Sequence, residues 1–371
     1  MINNFSFSAP VAIEYGVGVT AKLADIASSR GYTKGVLVSD KLFATNGTAE
    51  KIMASCPALV AMYSDITPNP MLQEVRNASK LMKEVGADFV VALGGGSAMD
   101  LAKFASAMVN AEYDVTEYFY KRQDVPAGNL PLIAIPTTAG TGSEMTAVSV
   151  CNDEATGIKS PLNHKNFYAS VAVIDPMLTL SVPPFVTATT GLDALSHALE
   201  AFWCASCNPI SDGLAEYAIR LVFENLETAF NDGSNVDARG SMMLASLIAG
   251  ISFAPTRTAG VHGCSYPLSI DYHLCHGEAC AFTLDSFIKV NATAGDKLNK
   301  LAKRVGFSDA VAMADEVARL KKVFKLKTTL SDVGITDVDD LAKKCSEHPL
   351  LSNNVPKMSA SDLADMFNTL K

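Results

Sequence analysis

Asp193 and His197 stand four residues apart in the run Gly191-Leu-Asp193-Ala-Leu-Ser-His197. On a helix, that spacing puts a carboxylate and an imidazole on one face, one turn apart. Carboxylate oxygen and imidazole nitrogen are ligands for a divalent metal such as zinc or ferrous iron. Further on, His262 and His276 bound the run His262-Gly-Cys-Ser-Tyr266-Pro-Leu-Ser-Ile-Asp-Tyr-His273-Leu-Cys-His276-Gly277. They could complete a set of one carboxylate and three imidazoles, which would use three of the six histidines in the chain. A surface Asp-x-x-x-His pair is the plainer reading. The apolar company of Ala194, Leu195, Ala198 and Leu199 argues against it, because a buried carboxylate and buried imidazoles are costly unless paired or metal-bound.

The elements that must hold these groups are helical. After Pro183-Pro184 the pattern reads as helices over 188–205, 211–231 and 238–253, then a broken stretch to Gly277, then helices to the end. Before Pro183 the chain alternates. Buried strands are expected over 35–40, 58–63, 88–93, 130–135 and 171–176, with helices over 71–85 and 98–109. Strand alternating with helix implies a parallel sheet covered on both faces. The expected architecture is an α/β N-terminal domain with a Rossmann-like sheet, residues 1–182, and an all-α C-terminal domain, residues 183–371, that carries the metal and the chemistry.

Two loops at strand ends have the composition of phosphate sites. Gly94-Gly-Gly-Ser97 joins a strand to a helix, whose N-terminus offers unpaired N–H groups and the positive end of its dipole. Ser97 can cap that helix and donate. The second loop, Thr137-Thr138-Ala-Gly140-Thr-Gly142-Ser-Glu144, offers hydroxyls and further N–H groups. Ligands of open α/β sheets bind at the carboxyl ends of strands. Asp40 ends the first buried strand, where an acid can bond a ribose 2′-hydroxyl and repel a 2′-phosphate, so NAD(H) is expected over NADP(H).

Taken together, these segments resemble the iron-containing, or group III metal-dependent, alcohol dehydrogenase family over nearly the whole chain. The resemblance implies a dehydroquinate synthase-like architecture, NAD(H) as cofactor and one divalent metal, Fe2+ or Zn2+. It implies Asp193, His197, His262 and His276 as metal ligands. It also implies Gly95, Gly96, Ser97, Thr137 and Thr138 along the dinucleotide, with Lys159 near its ribose and Asn69 in the loop after the second strand. A homodimer or higher homo-oligomer follows from it too.

The chain departs from the family in two places. Members commonly carry a histidine four residues after the third ligand, proposed as a proton relay, and here that position is Tyr266. His273 could compensate, or only bind a backbone carbonyl. The second departure is Pro255-Thr-Arg257-Thr-Ala-Gly-Val-His262, a stretch usually rich in Gly and Leu and uncharged. A cation amid apolar neighbours is costly unless paired, so Arg257 reads either as a salt bridge to a structural acid or as an anchor for an anionic substrate, which its fork would fit. Thr-Arg-Thr, Ser-Tyr-Pro-Leu and the run 276–284 are similar to a branch acting on anionic two-carbon aldehydes, the sulfoacetaldehyde and phosphonoacetaldehyde reductases. Ser-Tyr-Pro-Leu also resembles 4-hydroxybutyrate dehydrogenases, whose aldehyde is succinic semialdehyde. The expected activity is hydride transfer between NADH and a short anionic aldehyde, sulfoacetaldehyde to isethionate first. Rival readings are a general primary-alcohol or 1,3-propanediol-type dehydrogenase, a dehydroquinate synthase-like lyase and a non-catalytic NAD-binding scaffold. The lyase would want more Lys and Arg near the metal.

Composition fits these readings. A chain of 371 residues is long enough for two sizeable cores. With 49% hydrophobic and 19% charged residues it is globular, and a net charge of −9 argues against a general nucleic-acid surface. The N-terminus lacks the segments of a signal peptide, and the most apolar stretch, 241–254, stops before Pro255, too short to span a membrane. No nucleic-acid or membrane partner is expected, and a cytoplasmic location follows by default. Eight cysteines do not make a disulfide scaffold. Cys204-Ala-Ser-Cys207 reads as free, partly buried thiols, and Cys275 as a packing residue rather than a stray ligand.

Overall fold

The computed structural model describes residues 4–371. The chain divides into two compact units, one of Ala9–Thr138 with Gly142–Thr179, the other mainly Leu180–Lys371 with Ala139–Thr141.

The first unit holds eight strands: β1 (Ala12–Tyr15), β2 (Gly35–Ser39), β3 (Leu59–Tyr63), β4 (Phe89–Gly94), β5 (Leu132–Pro136), β6 (Val148–Asn152), β7 (Lys159–Asn163) and β8 (Val171–Ile174). Its helices are α1 (Leu23–Ser29), α2 (Lys41–Thr45), α3 (Thr48–Ser55), α4 (Leu72–Glu84), α5 (Gly96–Met108) and α6 (Val115–Phe119). Six strands form a parallel sheet in the order β1-β8-β5-β4-β2-β3, as expected for strands separated by helices. Val38, Ala92, Ala134 and Ala172 lie side by side in register. Strands β2, β4, β5 and β8 are buried along their whole length, which is why they read as unbroken apolar runs. The edge strand β1 and the antiparallel hairpin β6–β7 were not foreseen. Both are short, with exposed and polar positions that mask the periodicity.

In the second unit the long helices are α7 (Pro184–Trp203), α8 (Pro209–Asn231), α9 (Val236–Thr256), α10 (Gly260–Tyr272) and α11 (His276–Asn291). They are followed by α12 (Lys297–Arg304), α13 (Ala310–Val323), α14 (Leu330–Val333), α15 (Val338–Glu347) and α16 (Ala360–Asn368). Helix α7 is almost wholly buried and anchors one continuous apolar core. Two expectations are corrected. Helix α9 does not stop before Pro255 but carries it in its last turn, where the missing N–H forfeits a single bond. The supposed broken stretch is itself helix α10, with Pro267 inside it, interrupted only over 257–259 and 273–275. Among the described residues, α9 is the one helix long and apolar enough to cross a membrane, and 67% of its apolar window is buried within the protein.

Candidate functional site

Asp193 and His197 sit one turn apart on α7, both buried. His262 enters from α10 and His276 from the first position of α11. The three imidazoles converge on one carboxylate oxygen. Asp193 Oδ1 is 3.8 Å from His197 Nδ1, 3.5 Å from His262 Nε2 and 3.6 Å from His276 Nε2. Gly277 permits this approach, because a Cβ there would overlap the backbone carbonyl of Thr189 on α7. His276 is the open member, its side chain 43% exposed.

The chemistry of the donors decides whether a divalent metal fits them. Among the described residues, Asp193 Oδ1, His197 Nδ1 and His262 Nε2 are buried without a hydrogen-bond partner. Each such orphan costs about 1–3 kcal/mol, and a cation bound among them relieves all three together. The donor separations approach the edge of about 3.3 Å in a tetrahedron with bonds of roughly 2.0 Å. Burial pushes the His197 imidazole down to about 3, against the pull of Asp193, which leaves it neutral with a lone pair to give. Burial also penalises the Asp193 carboxylate, but His197, His276 and His262 outweigh it and hold the carboxyl below its usual range. The residues fit a divalent metal.

Two neighbours escaped the sequence reading. Glu200, fully buried on α7, accepts from Val261 N–H at 2.6 Å and His262 N–H at 3.3 Å, and its Oε2 lies 2.5 Å from His262 Nδ1. It fixes the ring so that Nε2 faces Asp193, the way outer carboxylates orient metal-binding histidines. Its position seven residues after Asp193, on the same helical face, was the available signal. Cys280 is one turn after His276 on α11, and its Sγ lies within 4.8 Å of the ligand atoms of Asp193, His262 and His276. Cys275, the thiol considered from sequence, is exposed at the N-terminus of α11. Cys204 and Cys207 are free thiols, one buried and one half-buried.

The residues considered for protons and for the anion are less central. His273 is exposed and ends α10 at φ 57°. Tyr266 is half-buried, its ring stacked on His348 with centroids 4.4 Å apart. Arg257 is exposed, not buried in apolar surroundings, and makes no ion pair among the described residues, so the premise that a buried cation needs a structural acid does not apply. It stands at φ 64° and ψ 169°, a conformation that glycine favours.

In the first unit, β4 ends beside β5, with Gly94 opposite Pro136 and Thr137 N–H bonded to the Gly94 carbonyl at 3.0 Å. The two loops are therefore neighbours at the carboxyl edge of the sheet. The N-cap of α5 is Gly95, with Gly96 as first helical residue, so Ser97 does not cap the helix. A glycine there brings bare backbone to the turn, and Thr138 Oγ1 lies just 3.5 Å from where a Gly95 Cβ would be. Asp40 Oδ2 accepts from Gly95 N–H at 2.8 Å, and burial raises its carboxyl. Ser97 Oγ accepts from Asn69 N–H at 3.2 Å, and Asn69 Oδ1 from Lys159 Nζ at 2.6 Å. All eight residues considered for the cofactor thus surround this sheet edge. Helix α5 also holds the second loop through fully buried Lys103, whose Nζ donates to the Ser143 carbonyl and hydroxyl, the Thr146 hydroxyl and the Val148 carbonyl. Asp100 accepts from the Ser143 hydroxyl and Val150 N–H.

Residues 10–176 match the family described as iron-containing alcohol dehydrogenase, and residues 187–370 match the C-terminal domain of the Fe-containing alcohol dehydrogenase family. The chain is 35% identical over 336 residues to long-chain-alcohol dehydrogenase 1 of Geobacillus thermodenitrificans, covering 88% of this chain and 83% of that one. It is 31% identical over 366 residues to sulfoacetaldehyde reductase of Bilophila wadsworthia, with 94% of each covered. The crystal structure of sulfoacetaldehyde reductase from Bifidobacterium kashiwanohense in complex with NAD+ superposes with a TM-score of 0.96 at 38% identity, covering 99% of both chains. The α/β domain followed by a helical region is thus the dehydroquinate synthase-like fold of these proteins. Both halves match, and the relatives span nearly the full length, so the chain belongs to the iron-containing alcohol dehydrogenase family.

Proposed function

We propose that this oxidoreductase transfers hydride between NADH and a short anionic aldehyde, sulfoacetaldehyde before phosphonoacetaldehyde or succinic semialdehyde. The observation that carries the metal-dependent part is the set of three buried, unpartnered ligand atoms around Asp193. A divalent metal held there, iron or zinc, would act as a Lewis acid on the substrate oxygen, and the nicotinamide would carry the hydride. Asp193, His197, His262 and His276 hold the metal, with Glu200 orienting His262. The sheet-edge cradle of Gly95, Gly96, Ser97, Thr137 and Thr138 takes the dinucleotide phosphates. Asp40, Asn69 and Lys159 lie on its flank, and Asp40 favours NAD(H) over NADP(H). Arg257, exposed and without an ion pair among the described residues, anchors the anionic tail, as a guanidinium suits a sulfonate face. The stacked pair Tyr266 and His348 supports a proton route from α10 better than exposed His273 does. Two sulfoacetaldehyde reductases among the relatives support the substrate. A cytoplasmic homodimer or larger homo-oligomer completes the proposal.

The rival is a general primary-alcohol or 1,3-propanediol-type dehydrogenase, which the match to a long-chain-alcohol dehydrogenase favours. The test is NADH oxidation by enzyme loaded separately with iron or zinc, on sulfoacetaldehyde, phosphonoacetaldehyde, succinic semialdehyde and butanal at equal concentration. Preference for one anionic aldehyde is expected; preference for butanal would establish the rival.

A further inference from the structure

Asn152 is the last residue of β6 and pairs in register with Lys159 across the β6–β7 hairpin. Strand β6 is tied to α5, the helix that begins at the Gly95 turn. Val150 N–H donates to Asp100 Oδ2 at 3.0 Å, and the Ser149 hydroxyl donates to the Asp100 carbonyl at 2.8 Å. From that fixed place Asn152 grips the loop after β3. Its Nδ2 donates to the Asn69 carbonyl at 3.2 Å, its N–H donates to the Pro70 carbonyl at 2.8 Å, and it forms a parallel bridge with Met71. Asn69 stands at φ 58°, a left-handed conformation that asparagine tolerates but that still needs support. Held so, Asn69 reaches in two directions. Its N–H donates to Ser97 Oγ at 3.2 Å, and its Oδ1 accepts from Lys159 Nζ at 2.6 Å. The amide of Asn152 adds little net stability by this. Its Oδ1 is buried without a hydrogen-bond partner among the described residues, and an unpaired buried acceptor offsets the gain from one neutral bond.

We propose that Asn152 is a positioning residue of the cofactor cradle, holding the Asn69 loop, and with it the Lys159 ammonium, against the turn of Gly95, Gly96 and Ser97. The proposal rests on the reading that this sheet edge binds NADH. A left-handed residue released from its tertiary bonds returns to the broad negative-φ regions. That would swing Asn69 Oδ1 away from Lys159 and its N–H away from Ser97. Binding groups keep their geometry only when the residues behind them fix their backbone and rotamers. The metal ligands belong to the other unit of the chain, so the loss falls on the cofactor.

The test is equilibrium binding of NADH to full-length, metal-loaded enzyme, followed by nicotinamide fluorescence, with circular dichroism as the check of fold. Asn152→Ala should raise the Kd for NADH roughly fivefold, as the loss of one ordinary hydrogen bond does. The KM for NADH should rise by the same factor while kcat stays within about twofold. Asn69→Gly should also raise the Kd, and adding Asn152→Ala to it should change the Kd by less than about twofold, because the two residues act in one chain of contacts. A Kd for Asn152→Ala within about twofold of the wild type, or effects that multiply in the double variant, overturns the positioning role and leaves the cofactor reading standing. A wild type that does not bind NADH overturns both. If Asn152→Ala does not fold, hydrogen–deuterium exchange of the wild type decides. Slower exchange at residues 69–71 and 148–152 on adding NADH supports the role, and slowing confined to residues 94–97 overturns it.

Discussion

Replacing Arg257 by glycine separates what its backbone does from what its side chain does. Arg257 ends α9 at φ 64° and ψ 169°, where a residue with a Cβ sits at a cost of about 1–3 kcal/mol. Glycine enters that region freely but loses about 0.5–1 kcal/mol more in chain entropy on folding. The bond from the residue 257 N–H to the Phe253 carbonyl, 2.7 Å long, needs no side chain. Arg257→Gly should therefore fold as stably as the wild type, or up to about 2 kcal/mol better. The guanidinium is exposed and free of any ion pair among the described residues, so nothing else depends on it. A charge-assisted hydrogen bond contributes about 1.5–3 kcal/mol, and exposure to water and salt points to the lower end. The kcat/KM for sulfoacetaldehyde should then fall roughly tenfold, while that for butanal stays within about twofold. NADH oxidation on both aldehydes and denaturant unfolding measure the two halves. Parallel losses on both aldehydes would refute Arg257 as tail anchor. A destabilisation of more than about 1 kcal/mol would refute the strain argument.

Gly277→Ala places a methyl on the Thr189 carbonyl, and a backbone neighbour cannot rotate away. Stability should drop by about 1–3 kcal/mol and metal content should fall with it as His276 leaves Asp193; unchanged metal content would show that α7 and α11 have slack. Asp40→Gly should raise NADPH use relative to NADH, and an unchanged ratio would remove Asp40 from the cofactor site. Lys103 gives a pH signature. Burial, opposed by Asp100 and Glu144, lowers its ammonium from 10.5 to about 8. Between those values the unfolded chain binds the proton more tightly, so the free energy of unfolding should rise with pH, by about 3 kcal/mol in all. Below pH 8 both states are protonated and this contribution is flat. Denaturant unfolding across pH 8–10.5 should show that rise in the wild type and not in Lys103→Met; equal slopes would mean that the four oxygens around Nζ keep it charged.

The division into an α/β half and a helical half was legible because strands buried on both faces, such as β4, leave an unmistakable apolar run. The cluster around Asp193 was legible in part because helical spacing survives folding: Asp193 and His197 could be paired from their positions alone. The same arithmetic reaches Glu200 and Cys280, seven residues after Asp193 and four after His276, but single polar residues among Leu199, Ala201, Ala279 and Ala281 read as core. What separates them from core is proximity across the chain, since Glu200 is recognisable only once His262, 62 residues later, arrives against it. Arg257 failed in the opposite sense. Its apolar neighbours suggested burial, yet exposure is decided by the backbone turn that ends α9, and no pattern of residue types announces a positive φ at arginine. β1 fails for the same reason as Glu200: its partner β8 begins at Val171, opposite Ala12, and an edge strand with three exposed positions has no periodicity of its own to betray it. Spacing along one helix was therefore readable before folding, whereas pairing between distant segments was not, and the cluster around Asp193 depends on both.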